Sequence, residues 1–472
     1  MGEKFKSKSW LIGVFAAIIM LSIGWYLVDR MEGKIPSVAV NPSIVSLGRS
    51  QKVNFTVSDA KSGVRKIEIG IVQGEKENTL FDKSFSSRGF GRGGDHKREI
   101  IDLLIEPEKL GLAEGRAVLR ITAWDHSLRG WWKGNKTQVE KPLMVDFKPP
   151  RTEVLTTMHN VNQGGTGLVI YKLSETCSRD GVMVGEHFYP GHSGLFDDDG
   201  IHAAFFALEH TQGPETKLVV LSTDRAGNTS RTGFPNAIRR KAFKKDSLPI
   251  SDGFLDGKMP EFKLDAPENK PLTNLEKYLI VNRDVRKENF KEIVRVTAET
   301  ENTLYWEGDF LRLPNSAPRA GFADFREYFY NGAKIDEQTH MGVDLASLQQ
   351  SPVPAANAGK VVFTDNLGIY GNSVLLDHGF GLFSMYSHLS HISVDPGQMV
   401  ARGEVVGKTG TTGLAGGDHL HFSILVHDTF VNPIEWWDAH WIRDNITAKI
   451  REVKSVLNEN AGEASSGEEA GR

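Results

Sequence analysis

Cysteine is nearly absent from this 472-residue chain, in which Cys177 is the single example. An intramolecular disulfide and a Cys-rich zinc site are therefore both excluded, and any metal would be held mainly by His, Asp or Glu. A basic surplus is lacking too, because the net charge is −4, and nothing in the charge predicts nucleic-acid binding. The remaining composition, 39% hydrophobic and 25% charged, is that of folded protein, and the length suggests about three domains.

The N-terminus carries an uncharged stretch, Trp10 to Val28, preceded by three lysines. At about 1.5 Å per residue a helix of this length crosses a hydrocarbon core of about 30 Å, and the lysines favour a cytoplasmic N-terminus. We therefore predict a single-pass anchor within residues 1–35. A cleaved signal peptide is the alternative, although the stretch is long for one and no Ala-x-Ala site follows. Both interpretations export everything after Asp29.

Alternating apolar and polar residues predict short half-buried strands over the next 200 residues. Val53, Phe55 and Val57 are one such run, and a second block of similar texture opens after Pro149-Pro150. A strand-end motif around Asp125 in the first block resembles one around Asp224 in the second. We predict two Ig-like β-sandwich modules, 36–148 and 149–238, which are interpreted as spacers or binding surfaces without chemistry of their own.

The rest of the chain divides into three predicted regions. Residues 239–300 read as a helical connector with Thr273 or Asn274 as a helix N-cap, and 301–438 as strands and glycine-rich turns. Residues 439–472 are expected to form an amphipathic helix that packs on its own domain or on a partner, followed by a disordered tail from Ala461. The apolar stripe of this helix comprises Ile442, Ile446, Ile450, Val453 and Leu457. The predicted fold class is mostly β.

Three short segments of region 301–438 concentrate polar chemistry: HMGVD at 340–344, YSHL at 386–389 and DHLHF at 418–422. His419 and His421 are two residues apart in a predicted strand, so both project from one face while Leu420 and Phe422 occupy the apolar face. Paired imidazoles on a polar strand face suit a metal ion such as zinc.

His340 and Asp344 would add a further imidazole and a carboxylate to that site. Three protein ligands leave the fourth zinc position open for water, which is typical of a catalytic rather than a structural site. Gly342 between them suits a tight or unusual backbone. No His-Glu-x-x-His motif is present to provide a glutamate base.

Together, the H-x-x-x-D, lone-His and H-x-H segments make the region from about Phe310 to Trp437 resemble the LytM-type (M23, lysostaphin-like) zinc metallopeptidases. The flanking segments AANAGKVV (355–362) and YGNSVLLDH (370–378) are similar to that family as well. Within this region Arg326 is kept, but the His-Pro pair that follows it in many relatives is missing.

The resemblance implies that His340, Asp344 and His421 bind Zn²⁺, and that His388 and His419 are catalytic histidines that do not bind the metal. It implies a C-terminal antiparallel-β peptidase domain whose partner is peptidoglycan. The expected location is the bacterial cytoplasmic (inner) membrane, with most of the chain in the periplasm or cell-wall space. Tyr386 could add a hydrogen bond to the site, although strand packing is the simpler interpretation.

The predicted function is hydrolysis of stem or cross-link peptides of peptidoglycan. Three alternatives remain open: a non-enzymatic activator of a wall amidase, a wall-binding protein that acts through its Ig-like modules, and a peptidase that cleaves another protein. Retention of all five metal and catalytic positions argues against the first two. The Ig-like modules could also contact protein partners.

Overall fold

A computed structural model describes residues 4–89, 93–264 and 271–469. Packing divides the chain into two compact units. Unit 1 comprises Met1–Pro149 and Thr223–Thr229, and unit 2 comprises Pro150–Ser222 and Ser230–Arg472.

Unit 1 begins with helix α1, Lys4–Arg30. Its segment Trp10–Arg30 has a mean hydropathy of 2.3 and no buried residues, so by length and composition it is able to cross a membrane. A signal sequence near the N-terminus would have the same properties.

Two sheets pack face to face in the rest of unit 1. Their strands are β1 (Ser37–Asn41), β2 (Ser46–Leu47), β3 (Gln51–Ser58), β4 (Val64–Gln73), β5 (Lys76–Ser84), β6 (Arg98–Ile105), β7 (Gly115–Asp125) and β8 (Lys136–Val145). One sheet has the order β1-β3-β6 and the other β2-β8-β7-β4-β5. Alternate residues point inward, so Phe55, Ile69 and Ile121 lie in one core, as the period-two pattern predicts.

Unit 2 begins with a second β module. Its strands are β9 (Thr152–Val154), β10 (His159–Asn162), β11 (Thr166–Leu173), β12 (Cys177–Val184), β13 (His187–Pro190), β14 (Ile201–Ala207), β15 (Leu218–Asp224), β16 (Thr229–Gly233) and β17 (Asn236–Arg239). They form sheets β14-β11-β9 and β13-β12-β15-β16 and the parallel pair β10-β17.

The connector contains a strand as well as helices. Its elements are β18 (Lys245–Pro249), α2 (Asp252–Lys258), α3 (Asn274–Ile280) and α4 (Arg286–Val296), with a π-helical turn, Val281–Val285, between α3 and α4. Thr273 is confirmed as the N-cap of α3, where it forms a capping box with Glu276. β18 departs from the predicted helix because its backbone pairs in parallel with a strand of the C-terminal region.

The C-terminal region is built on a large antiparallel sheet. Its strands are β19 (Ala317–Ala320), β20 (Phe325–Tyr330), β21 (Ala333–Thr339), β22 (Val343–Ala346), β23 (Pro352–Pro354), β24 (Gly359–Asn366), β25 (Asn372–Asp377), β26 (Leu382–Leu389), β27 (His391–Ile392), β28 (Met399–Val400), β29 (Val405–Lys408), β30 (Leu420–Val426) and β31 (Thr429–Val431). The large sheet has the order β19-β22-β30-β26-β25-β24-β28, with β31 paired to β30. Smaller sheets β18-β20-β21 and β23-β29-β27 flank it.

Three helices follow: α5 (Pro433–Trp437), α6 (Ala439–Ile442) and α7 (Ala448–Glu469), with a π-helical turn, Arg443–Thr447, before α7. The expectation of a disordered tail from Ala461 is wrong for the described residues, because α7 continues to Glu469. Extending a formed helix costs far less than nucleating one, and the tail is rich in Ala and Glu, which are good helix formers. Residues 470–472 lie outside the described part.

The second β module and the C-terminal region share one hydrophobic core within unit 2. Phe205 of β14 contacts Trp436 of α5, with ring centroids 6.1 Å apart. The apolar stripe from Ile442 to Leu457 packs into this core, and Lys449 of α7 donates to the Leu168 carbonyl group of β11 at 3.1 Å. The predicted amphipathic helix therefore packs on the second β module.

Candidate active site

Strand pairing brings two of the predicted ligands face to face. β22 and β30 run antiparallel, and their register places Asp344 opposite His421. His340 follows β21 directly and is held by a hydrogen bond from its N–H to the Asp324 carbonyl group. Gly342 has to be glycine here, because a Cβ atom would lie 2.6 Å from Nε2 of His421.

Three ligand atoms meet at one point. Asp344 Oδ1 lies 3.0 Å from His340 Nε2 and 2.9 Å from His421 Nδ1, and the two nitrogen atoms are 2.9 Å apart. All three residues are buried. This group of His, Asp and His is therefore able to hold a metal ion.

Hydrogen bonds on the far side of each ligand imidazole determine which nitrogen atom is free. His340 Nδ1 donates to the Gly321 carbonyl group at 2.8 Å, which leaves Nε2 unprotonated. Ser423 Oγ donates its only proton to the Met341 carbonyl group, so it accepts from His421 Nε2 at 3.0 Å, which leaves Nδ1 unprotonated. When both rings are neutral, two lone pairs and a carboxylate therefore face one another, and either a shared proton or a metal cation has to lie between them. Such outer hydrogen bonds are usual for metal-binding histidines.

The protonation states also suit a metal site. Burial alone would raise the pKa of Asp344, but the charge and hydrogen bonds of His340, His419 and His421 outweigh it and hold that pKa well below its ordinary value. Burial lowers the pKa of His421 to about 4. An ionised aspartate and a neutral imidazole are the forms that bind metals.

Two further histidines border the same point. His388 Nδ1 donates to the Thr412 carbonyl group and His419 Nδ1 to the Gly417 carbonyl group, both at 2.8 Å, so Nε2 is the unprotonated nitrogen whenever either ring is neutral. Their ring centroids are 4.8 Å apart, and His419 Nε2 is 3.5 Å from Asp344 Oδ1. Burial lowers the pKa of His388. Burial acts in the same direction on His419, but its contact with Asp344 raises that pKa overall.

His388 adopts a left-handed backbone conformation, with φ of +61°, at the end of β26. The pairing of β25 with β26 shifts register between Asn372 and Val374, which places the irregularity beside this residue. Non-glycine residues in this conformation are uncommon and concentrate at functional sites.

Arg326 contacts the site, although the sequence assigned it no role there. Its Nη2 donates to Asp344 Oδ2 at 3.1 Å, so one carboxylate oxygen is held by a guanidinium group while the other faces the histidines. Tyr386, in contrast, is confirmed as a packing residue. Its hydroxyl group accepts from the Ala356 N–H at 2.7 Å and is therefore bonded to the backbone instead of to the histidines.

The site opens into a cavity of about 310 Å³, and the connector forms one of its walls. The connector residues lining it are Leu248, Pro249, Ile250, Phe254, Tyr278, Asn282 and Arg286. The sequence predicted helices in this connector, but it carried no indication that residues such as Tyr278 border the histidines.

The sequence profile described as Peptidase family M23 matches residues 338–433, which contain all five histidine and aspartate residues of the site. The chain carries an M23 peptidase domain. The M23 domain is 40% identical over 95 residues to the DD-carboxypeptidase/endopeptidase Mpg of Neisseria meningitidis, a match covering 20% of this chain and 22% of that protein. It is also 40% identical over 96 residues to the peptidoglycan DD-endopeptidase ShyA of Vibrio cholerae, again 20% and 22% of the two chains.

The matched part thus spans about a fifth of the length of these curated relatives. Among solved structures, a putative M23 peptidase from Pseudomonas aeruginosa aligns with 58% of this chain and 94% of its own, at 21% identity and a TM-score of 0.36. The catalytic domain of lysostaphin from Staphylococcus simulans aligns with 28% of this chain and 98% of its own, at 29% identity and a TM-score of 0.24.

Proposed function

We propose that this protein is a zinc-dependent endopeptidase that hydrolyses peptide bonds in the stem or cross-link peptides of peptidoglycan. Helix α1 anchors it in the bacterial inner membrane, and the M23 domain faces the periplasm or cell-wall space. The observation that carries the proposal is the convergence of Asp344 with unprotonated nitrogen atoms of His340 and His421. The DD-endopeptidase relatives support the choice of substrate.

Each residue of the site has a distinct task in this proposal. His340 Nε2, Asp344 Oδ1 and His421 Nδ1 hold the metal. Bound zinc would polarise the scissile carbonyl group and lower the pKa of water. Of His388 and His419, one takes the proton of the attacking water at an unprotonated Nε2, and the other, when protonated at Nε2, donates to the carbonyl oxygen as it gains negative charge.

A substrate that enters this site has to pass the connector, which forms one wall of the cavity. Lys258 of the connector donates to the Thr411 carbonyl group, and Arg283 Nε donates to Asp336 Oδ1 at 3.0 Å. These side-chain contacts add to the pairing of β18 with β20 in attaching the connector to the C-terminal region. The cavity of about 310 Å³ is at the lower end of the usual range for ligand pockets. We infer that the connector moves aside to admit a cross-linked substrate.

The amidase-activator alternative is disfavoured by the same geometry. An activator has no need of ligand atoms held within hydrogen-bonding distance of one another, or of histidines whose tautomers are selected by the surrounding fold.

The deciding experiment pairs metal analysis with cleavage of purified cross-linked peptidoglycan by the full-length chain in detergent. We expect one zinc ion per chain and release of cross-linked fragments. His421→Ala should lose both. His391→Ala is the matched control, because His391 is an exposed histidine on the neighbouring strand β27, and it should retain both. Bound zinc without cleavage of peptidoglycan would contradict the proposed substrate.

A further inference from the structure

Unit 1 contains a group of three buried carboxylates, Glu32, Asp59 and Asp125, which we name the acidic site. Their exposed fractions are 6%, 4% and 0%. One carboxylate oxygen of each lies within 4.8 Å of the others. We propose that the acidic site binds a calcium ion.

Glu32 provides the independent indication of a missing cation. Both of its carboxylate oxygens are buried, and neither has a hydrogen-bond partner among the described residues. A carboxylate withdrawn from water without a donor or a counter-charge is strongly destabilising, so such groups are normally paired or bind metals. Here two more carboxylates lie within 4.8 Å, and like charges at this distance add to the cost.

Among the described residues, the donors to the two aspartates are all neutral. Asp59 Oδ1 accepts from the N–H of Gly63 at 2.6 Å and from Ser62 Oγ at 3.2 Å. Asp125 Oδ1 accepts from the N–H groups of Ser127 and Asn135, at 3.0 and 2.7 Å. These contacts orient the carboxylates without neutralising them.

The donor atoms select calcium. Zinc prefers nitrogen and sulfur, which the acidic site lacks, whereas calcium takes six to eight oxygen ligands and favours several carboxylates. Further oxygen atoms lie beside the site, since Asn135 Nδ2 donates to the carbonyl groups of Glu32 and Lys34, both at 3.1 Å. Ser127 Oγ contacts the carbonyl oxygens of Arg30 and Glu32, both at 3.2 Å.

The location suggests what the ion does. Glu32 lies two residues after the end of α1, whereas Asp59 follows β3 and Asp125 ends β7. A calcium ion would therefore tie the segment that leaves α1 to the β core of unit 1. The inference does not depend on peptidase activity.

Thermal unfolding of the full-length chain in detergent tests the proposal, after metals are removed and one equivalent of zinc is restored to the M23 domain. Calcium chloride should raise the unfolding midpoint, and magnesium chloride should do so much less. Glu32→Gln keeps the shape of the side chain but removes a charge. Without calcium this variant should be at least as stable as the natural chain, and its midpoint should no longer respond to calcium.

Direct titration of calcium gives the second measurement. Losing a ligand should weaken binding at least about 10-fold, the lower end of the loss seen when an outer-sphere contact is removed. Glu75→Gln, at an exposed position of unit 1, and His421→Ala should both keep the calcium response. Three results would each overturn the calcium assignment: no change in the unfolding midpoint of the natural chain with calcium, an equal change in Glu32→Gln, or equal stabilisation of the natural chain by magnesium.

Discussion

In the M23 domain, Asp344 lies among three imidazoles and a guanidinium group, whereas Glu32 of unit 1 lies beside two other carboxylates. Both groups are buried, and both bring together residues from separate segments of the chain. The nitrogen-rich group suits zinc and leaves room for chemistry. The oxygen-only group suits a structural calcium ion. The two groups differ in the type of their donor atoms more than in burial, and the donor type determines which metal ion each would suit.

Of the changes considered, removal of a nitrogen ligand from the M23 site should have the largest effect on activity. We expect His421→Ala to lower the rate of peptidoglycan cleavage at least about 100-fold, since even outer-sphere changes cost up to that factor. Calcium-dependent unfolding should be unchanged in the same protein. If both responses were lost together, the two sites would not be independent.

Ser423→Ala tests the tautomer argument. Without the acceptor at Nε2, His421 loses the contact that keeps Nδ1 unprotonated, and zinc affinity should fall about 10- to 100-fold. Ser384→Ala is the matched control, because Ser384 contacts His378, a histidine outside the site, at 2.7 Å. Competition with a zinc chelator measures both, and equal losses would contradict the assignment.

Asp336→Ala should release one attachment of the connector. Asp336 accepts from Asn282 Nδ2 at 2.8 Å and from Arg283, and loss of these contacts frees the wall over the cavity. Loss of these partly exposed contacts should destabilise the form in which the connector covers the cavity by on the order of 1 kcal/mol. Because the uncovered form would then be more populated, cleavage of cross-linked peptidoglycan should rise several-fold.

Small soluble peptides should be cleaved at a nearly unchanged rate by Asp336→Ala, since they need less space. Asp284→Ala serves as the control, because Asp284 is an exposed residue of the same segment that contacts only Lys287 among the described ion pairs. Slower cleavage by Asp336→Ala, with folding intact, would refute the role of the connector as a cover.

Glu435 is a buried carboxylate whose pKa differs in direction from that of Asp344. Burial raises its pKa to about 7, although Asn162 and Thr166 donate to it at 2.7 and 3.0 Å. The folded state therefore binds the proton more tightly than the unfolded state, so its stabilising contribution is complete below about pH 4.5 and is lost as pH rises to about 7.

The smallest expected effect is a pH-dependent difference between the natural chain and Glu435→Gln. Their difference in unfolding free energy should change by about 3 kcal/mol over this window, in favour of the variant at the upper end. Denaturant titrations at several pH values measure it. A difference that stays constant would contradict the raised pKa.

The sequence predicted the local chemistry of the M23 domain better than its surroundings. The alternation around His421 predicted that its imidazole projects from the face opposite Leu420 and Phe422. In the structure His421 contacts Asp344, whereas Phe422 stacks on Trp437. Pattern and resemblance together placed Asp344 with the histidines. Three contacts could not be predicted, because each joins residues far apart in the chain: Arg326 with Asp344, Tyr278 with the cavity, and Phe205 with Trp436.

The same reasoning explains the acidic site. Asp125 belongs to a strand-end motif that is visible in the sequence, but Glu32 reads as an ordinary charged residue after the anchor. The two carboxylates meet because Ser127 and Asn135, close to the end of β7, bond to the backbone of the segment that contains Glu32.

The common core of unit 2 has a consequence for the transfer of this M23 domain to another protein. The stretch matched by the M23 profile ends at residue 433, just before Glu435 and Trp436, whose partners are Asn162, Thr166 and Phe205. A graft cut at that border would leave aromatic surface bare and the Glu435 carboxylate without its donors. A transplanted M23 domain therefore needs the second β module with it in order to keep these contacts.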